Sequence, residues 1–375
     1  MEHTYRPFVH DPNTQCAEHR AWLTLSQTEG LNLKDLWKYI SLYSYAQKVL
    51  EHLRHKREQG ALTKIRIPPD AKAAALEEHA HRRRERILTP ADSEYPRQLF
   101  DLPQPPAALF VAGQRSLQAH NQISIVGSRL ATPYGMSLSA TLARNLAERG
   151  VVITSGLARG IDAQAHRGAL KGGGHTIAVI GSGLDVYYPR ENTRLQKRLT
   201  EEGNVVSEYA YGSPPNAWHF PARNRIIAAL SLGTIIVQAS THSGALITAN
   251  LANDLGREVM VVPGAIDVRQ SSGCLQLLLE GANPVRHVCD VFDVLKVFED
   301  SAAQPQSKDI NNTHSKDLSA AARQLLHIIS PRGDTVDSLA EKCSLSPGLI
   351  AAILHQLGIT GYVQSLPEGM WIPTF

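Results

Sequence analysis

The residues best placed to do chemistry follow an apolar run at 123–126, where Gly127-Ser128-Arg129 predicts a tight turn. Thr132 and Pro133 come next, and they are typical of an N-cap and a first helical residue. A strand, turn and helix in this order aim backbone N–H groups, a helix N-terminus and one guanidinium at the same point. That combination predicts an anion site, most simply for phosphate. The phosphate could belong to a nucleotide or to a nucleic acid backbone.

Three further turns of similar composition follow later apolar runs. Each places Gly and Ser where backbone N–H groups can face a ligand, although a lone glycine often only makes a tight turn. We expect all four turns to meet at one edge of a sheet, with two arginines among them. The candidate residues of the three later turns are Ser155, Gly156, Arg159, Gly181, Ser182, Gly183, Ser243, Gly244 and Thr248.

The segment Phe220-Pro-Ala-Arg223-Asn224-Arg225 concentrates an aromatic ring, an amide and two cations. One interpretation is a base stacked on Phe220, with the arginines on the flanking phosphates. The alternative is structural: Phe220 packs in the core, and the arginines pair with Glu208 or Asp185.

Short β-branched runs alternate with helical patterns over residues 120–290. This alternation predicts an α/β fold with a doubly wound parallel sheet, which binds ligands at the carboxyl ends of its strands. The predicted strands lie at 123–126, 151–154, 176–180, 205–206, 234–237 and 259–262, and the predicted helices near 133–149, 162–171, 190–202, 222–231 and 244–255.

The flanking segments differ in character from the centre. Residues 1–94 have helical spacing in their first half and an Arg- and His-rich stretch, including Arg82-Arg83-Arg84, that we interpret as a solvated helix face. A Pro-rich joint opens the central domain, predicted at 95–298. A polar linker at 299–315 follows. Residues 316–375 predict three helices and a β-hairpin, the order of a winged helix.

Charge is unevenly distributed along the 375 residues, whose net charge is +3. Residues 120–225 hold twelve Arg and Lys against seven Asp and Glu, whereas the segments after them are acidic. This bias favours a polyanionic partner. No apolar stretch is long enough to cross a membrane, and the N-terminus has no secretory pattern. The four cysteines have no metal-ligand spacing, so we expect reduced thiols, no metal and a cytoplasmic protein.

Several enzyme classes lack their signatures here. The first turn is not GxGxxG, the second strand has no ribose-binding acid after it, and no GxxxxGK[ST] is present. HExxH, GxSxG and a clustered pair of carboxylates are also absent. The residues offer contacts to an anion without an obvious nucleophile or base, and we expect no cofactor.

Taken together, the motifs IVGSR, SGLARGIDAQAH, IAVIGSGLDVYYPREN, FPARNRII, SGALITA and REVMVVPG resemble the DprA family, also called Smf. The resemblance covers about 95–290. It implies an extended Rossmann-like domain that binds single-stranded DNA, between an N-terminal helical SAM-like domain and a C-terminal winged helix. It also implies a homodimer that protects incoming DNA and loads the recombinase RecA during natural transformation, without enzymatic activity.

The chain departs from the family pattern at Gln238, where Glu is usual, and at Ala245, where Ser is usual. The predicted recognition helix at 346–357 has no Arg or Lys, which favours a protein contact or a regulatory role over DNA reading. Two other functions stay open. One is a nucleotide hydrolase of the phosphoribohydrolase type, and the other is a sequence-specific regulator that acts through the winged helix.

Overall fold

The computed structural model describes residues 12–296, 320–329, 334–343, 345–359, 362–365 and 369–373. The chain divides into two compact units, residues 1–298 and 299–375. The predicted linker at 299–315 lies outside the described residues. No helix in the described ranges combines the length and the apolar character that a bilayer span requires.

Four helices open the first unit. Asn32 caps the second of them through a hydrogen bond from the Asp35 N–H, 2.9 Å long. Their shared core is built on Trp22, Ile40 and Leu53, which are fully or almost fully buried. The helices are α1 (Pro12–Ser26), α2 (Leu33–Tyr43), α3 (Ala46–Glu58) and α4 (Asp70–Arg82). The helix α4 lies in the Arg- and His-rich stretch interpreted as a solvated helix face; Arg82, at its end, is exposed, as are the two arginines that follow it.

The described residues of this unit also form a nine-stranded sheet with the order β1-β2-β6-β5-β4-β3-β7-β8-β9. The pairs from β6 to β9 are all parallel, whereas β1 and β2 run antiparallel at one edge. The strands are β1 (Glu85–Leu88), β2 (Leu109–Ala112), β3 (Gln122–Val126), β4 (Val152–Ser155), β5 (Thr176–Ile180), β6 (Asn204–Ser207), β7 (Gly233–Ile236), β8 (Glu258–Val261) and β9 (Asn283–Pro284). The predicted doubly wound sheet is confirmed, and β1 begins before the predicted domain boundary at 94.

Helices cover both faces of the sheet. Ile123 and Ile125 point toward a core shared with α5, α6 and α11, whereas Val126 belongs to the core shared with α8 to α10. These helices are α5 (Pro133–Ala147), α6 (Ile161–Lys171), α7 (Thr193–Glu202), α8 (His219–Leu230), α9 (Gly244–Asp254), α10 (Ser272–Leu279) and α11 (Val288–Leu295). The helix α8 begins earlier than predicted because Pro221 lies in its first turn, where the missing N–H costs no hydrogen bond.

The order of the strands reverses between β3 and β7. The chain moves outward from β3 to β6 and then returns to the other side of β3 with β7. In doubly wound sheets a crevice opens at this switch point, at the carboxyl ends of the two strands. The Gly127-Ser128-Arg129 turn leaves β3 at this crevice.

A buried histidine in this unit gives it a predictable acid sensitivity. His166 in α6 is fully buried, and its Nδ1 lies 2.7 Å from Thr176 Oγ1, which donates to the Ile153 carbonyl. Burial lowers the pKa of His166 from 6.5 to about 3. The unfolded chain therefore binds an extra proton between these values, and the free energy of unfolding decreases as the pH falls below about 6.5.

We expect protonation linked to His166 to lower the free energy of unfolding by about 2 kcal/mol at about pH 5. Urea unfolding of the parent and of His166→Gln across this pH range measures it. The variant should lose this part of the pH dependence, whereas His120→Gln, a change at an exposed histidine, should keep it. Parallel pH profiles for the parent and His166→Gln would show that another group is responsible.

The second unit contains the elements predicted for a winged helix. Its helices are α12 (Ala320–Ile328), α13 (Val336–Lys342) and α14 (Pro347–Ile359), and its strands are β10 (Asp334–Thr335), β11 (Val363–Ser365) and β12 (Met370–Pro373). The strands pair in the order β10-β12-β11, all antiparallel. Leu325, Leu339 and Leu354 are fully buried where the helices meet. The predicted order of helices and hairpin is confirmed, and β10 is an addition.

Candidate functional site

The turn after β3 is fixed by Gln238, two residues after the end of β7. The Ser128 N–H donates to the backbone carbonyl of Gln238 at 2.6 Å. The side chain of Gln238 holds Thr132 from both sides, accepting from its N–H and donating to its Oγ1, each at 2.9 Å. Thr132 Oγ1 in turn accepts from the Gly135 N–H at 3.1 Å, which confirms Thr132 as the N-cap of α5. Gln238 therefore sets the geometry of the predicted anion turn.

A cleft of about 560 Å³ opens in front of this turn, at the carboxyl edge of the sheet. The N-terminal parts of α8 and α9 form its other walls. Nine of the predicted site residues line it: Gly127, Ser128, Arg129, Phe220, Arg223, Asn224, Ser243, Gly244 and Thr248.

A second cavity of about 340 Å³ adjoins the cleft. It shares Arg129, Phe220 and Arg223 with the cleft, so the two form one continuous surface. The predicted residues that line only this second cavity are Gly156, Arg159, Gly181 and Ser182. The structure thus brings all four predicted turns to one edge.

Three predicted site residues do not line either space. The Ser155 hydroxyl donates to the Ile125 carbonyl at 2.6 Å and is buried in the sheet. Gly183 packs against the carbonyl of Ala210, so it serves the loop and not a ligand. Arg225 forms an ion pair with Glu208, in which its Nη2 donates to both carboxylate oxygens at 2.5 and 2.6 Å. The structural alternative named for the arginines therefore applies to Arg225.

Arg223 lies in the wall of the cleft but is 4% exposed. Its Nη1 donates to the Val179 carbonyl, and burial lowers its pKa to about 10. Asp162 is the carboxylate that opposes this shift, and burial raises the pKa of Asp162 in turn. Arg223 is therefore an internal cation that balances a buried acid, in contrast to the predicted phosphate contact.

Gly156 is required by the close packing around this pair. A Cβ at Gly156 would overlap Arg223 Nη1 and would lie 2.7 Å from Asp162 Oδ2. Any larger residue would push the buried cation away from its acid. The glycine is thus explained by a close approach of side chains.

In contrast to the buried Arg223, Arg129 has an exposed side chain at the mouth of the cleft. Its guanidinium carbon lies 5.2 Å from the centre of the Phe220 ring, within the range of a cation–π contact. Across the described ranges, no ion-pair partner is found for Arg129. Its charge is therefore available to an anion.

Arg159 borders the second cavity and pairs with Glu191 at 2.6 Å. Both side chains are more than half exposed, at 59% and 57%. An exposed pair of this kind contributes little to stability and can open when a stronger anion arrives. Arg129 and Arg159 therefore face a common cavity, and only Arg159 must give up a partner.

The structure adds site residues that the sequence interpretation missed. Tyr188 is 40% exposed, lines both cavities, and lies 5.5 Å from Phe220 between ring centres. Asp162 lines the cleft as a buried acid. Both lie in motifs quoted in the sequence analysis, IAVIGSGLDVYYPREN and SGLARGIDAQAH, in which the glycine turns were singled out and these two side chains were not.

The arrangement offers an exposed guanidinium, the N-terminus of α9 and a pair of aromatic rings. The N–H groups of Ser128 and Thr132 in the β3 turn donate to Gln238, and that of Leu130 donates to Ser128 Oγ, so these three are not free for the predicted anion contact. A guanidinium and a helix N-terminus suit phosphate, and aromatic rings suit the faces of bases. Within the described part of the chain, no three His, Cys, Asp or Glu side chains are close enough to hold a metal ion.

Comparison with known proteins agrees with this chemistry. Residues 86–296 match the family model described as DNA recombination-mediator protein A, and residues 311–369 match the DprA winged helix domain. The chain belongs to the DNA recombination-mediator protein A family. The resemblance to DprA and Smf is thereby confirmed.

Curated members of the family align over most of the chain. Protein Smf of Synechocystis sp. is 32% identical over 94% of this chain and 98% of its own length. DNA processing protein DprA of Streptococcus pneumoniae is 44% identical over 56% of this chain and 72% of its own length.

Two solved structures of family members share the fold. The DprA structure from Streptococcus pneumoniae has 35% identity and a TM-score of 0.58, covering 75% of this chain and 92% of its own. DNA processing protein A from Helicobacter pylori has 32% identity and a TM-score of 0.52, covering 56% and 95%. That second structure concerns the single-stranded DNA binding mode of the Helicobacter protein.

Proposed function

We propose that this protein binds single-stranded DNA in the cleft between the β3 turn and α8, protects it, and delivers it to a recombinase. The observation that carries the proposal is Arg129, an exposed cation with no ion pair among the described residues, which lies over Phe220 in the lining of the cleft. Phosphate and base can be held there at once. Membership of the recombination-mediator family and the DNA-binding mode of the Helicobacter relative support it.

The aromatic rings favour a single strand over a duplex. Phe220 and Tyr188 lie inside the cleft and the adjoining cavity, where only an unpaired base can bring its face to them. In a duplex the faces of the bases are covered by stacking. We therefore assign phosphate contact to Arg129 and Arg159, and base contact to the two rings.

We propose binding without chemical turnover. Asp162 is the acid in the cleft wall, and its position beside buried Arg223 gives it a structural role. A hydrolase of the phosphoribohydrolase type would need an accessible carboxylate at the ligand. The usual Glu of the family pattern is here Gln238, whose side chain is occupied by Thr132.

The partners follow from the family. We propose that the recombinase is RecA, that the setting is natural transformation in the cytoplasm, and that the protein works as a homodimer. The short edge strand β9 pairs only with β8 among the described residues, and Leu279 and Ile266 are exposed at 91% and 90%. A strand edge with no further strand partner, together with exposed apolar side chains on the same unit, supports contact with a second copy. The winged helix has no Arg or Lys on α14, which supports a contact with protein.

Salt dependence tests the proposed DNA binding directly. If about four phosphates are neutralised, the logarithm of the association constant should fall with a slope near −3 per log unit of salt. Fluorescence anisotropy with labelled oligo-dT and a matched duplex, between about 50 and 200 mM salt, measures the salt slope and the relative affinity for single and double strands. We expect preference for the single strand at every salt concentration. Equal affinity for the duplex, or a flat salt response, would refute the proposal.

A further inference from the structure

Trp218 is a large aromatic residue that the fold leaves outside. Its side chain is 66% exposed at the N-terminus of α8, whereas Trp22 and Trp371 are buried and Trp37 is half-buried. Single exposed apolar residues are common on proteins and by themselves indicate nothing. The surroundings of Trp218 are what distinguish it.

Two other rings hold Trp218 in place. His219 stacks on Tyr209, with ring centres 3.7 Å apart and an interplanar angle of 19°. The Trp218 ring meets His219 edge to face at 4.0 Å and Tyr209 edge to face at 6.2 Å. Edge-to-face contacts hold a ring and leave much of it accessible. Trp218 is therefore supported, although it is exposed.

This support is anchored to the wall of the site. His219 is 4% exposed, and its Nδ1–H donates to the Gly181 carbonyl at 2.9 Å. Gly181 lines the second cavity beside Arg129. Any strand held in the site thus lies next to Tyr209 and His219, the two rings that support Trp218.

The segment around Trp218 also lies at the cleft and has no acidic residue that would repel a strand. Its neighbour Ala217 lines the cleft, as does Phe220 two residues later. No Asp or Glu occurs between Gly212 and Arg225. A phosphate can therefore approach Trp218 without repulsion from its own segment.

We propose that Trp218 stacks an unpaired base of the strand where it leaves the cleft, so that the contacted length extends past Phe220. The inference rests on the proposed single-strand binding and adds one base contact to it. The ligand class is a nucleobase in DNA, of any sequence, because every base offers a face for stacking.

Intrinsic fluorescence reports on this contact. Because Trp218 is the most exposed of the four tryptophans, stacking should quench a large part of the emission when oligo-dT saturates the protein. In Trp218→Phe the quenching should disappear, while binding persists because phenylalanine can still stack. Trp218→Ala should bind oligo-dT of about 20 nucleotides about tenfold more weakly, the effect of one stacked base.

An abasic strand separates stacking from folding. Anisotropy with an oligonucleotide of the same length that lacks its bases keeps the phosphates and removes the partner of Trp218. On that strand, Trp218→Ala should bind as well as the parent. Tyr45→Ala removes another exposed aromatic, 42% exposed and located between α2 and α3, and should leave both affinities unchanged.

The possible results have distinct meanings. If Trp218→Ala binds oligo-dT like the parent, and emission does not change on binding, the inference is wrong and the proposed function stands. If that variant binds DNA normally but fails to promote RecA loading, Trp218 contacts protein and the inference is again wrong. If the parent does not bind single strands, the proposed function fails and takes the inference with it.

Discussion

Replacing Arg129 with alanine is expected to weaken single-strand binding by about a hundredfold, which corresponds to about 2.7 kcal/mol. A charged hydrogen bond to phosphate is worth about 1.5–3 kcal/mol, and the contact with Phe220 positions the guanidinium for it. Because Arg129 is exposed and has no ion pair in the described part of the chain, its removal leaves no internal group unpaired. The free energy of unfolding should change by less than about 0.5 kcal/mol.

The measurement is anisotropy with oligo-dT over a salt series, for the parent and Arg129→Ala. With one phosphate contact fewer, the salt slope should become shallower by about 0.7, beside the loss of affinity. RecA loading onto the same oligonucleotide should decrease in proportion. Arg198→Ala, which removes an exposed arginine paired with Glu202 on α7, is the matched control. If Arg129→Ala binds like the parent, the cleft is not the DNA site.

Much of this site was predictable because parallel strands share a direction. Turns that follow β3, β4, β5 and β7 must lie at the same edge once the strands are parallel. The sequence pattern contains both the strands and the small residues after them. Ser155 and Gly183 show where this prediction fails, since a Gly or Ser after a strand can pack or hydrogen-bond within the protein and make no contact with a ligand.

Arg223 and Arg225 have roles that the sequence pattern could not predict. They stand two residues apart in one motif, and on a helix that spacing places them on different sides. Arg223 points into the sheet toward Val179, whereas Arg225 turns to Glu208. Their partners come from other segments, so their roles depend on tertiary packing and not on the motif.

Gln238 is a second example of the same limit. The sequence comparison marks it only as a departure from a usual Glu. In the structure it is the residue that holds Thr132 and the Ser128 N–H, across more than a hundred positions of the chain. The antiparallel strands β1 and β2 were missed for a related reason, because they lie on either side of the Pro-rich joint and before the regular alternation begins.

Arg223→Met is expected to lower the free energy of unfolding by about 3–5 kcal/mol, because it leaves Asp162 buried without a cation. This places Arg223 in the structure of the cleft wall, in contrast to the exposed Arg129. Urea unfolding near pH 7 measures the loss. The double variant that also carries Asp162→Asn should recover a large part of it, since the orphaned charge is then absent.

The pH dependence of the stability of Arg223→Met is a second test of the same assignment, and its direction can be predicted. Burial already raises the pKa of Asp162, and removal of the guanidinium should raise it further. A carboxyl whose folded pKa exceeds its unfolded value stabilises the fold once it is protonated, so the deficit of Arg223→Met should shrink as the pH falls toward about 5. Arg225→Met, which breaks the less buried pair with Glu208, should show a smaller deficit. If Arg223→Met instead keeps the stability of the parent and loses only DNA affinity, Arg223 contacts the strand, and its assignment as a buried structural cation is wrong.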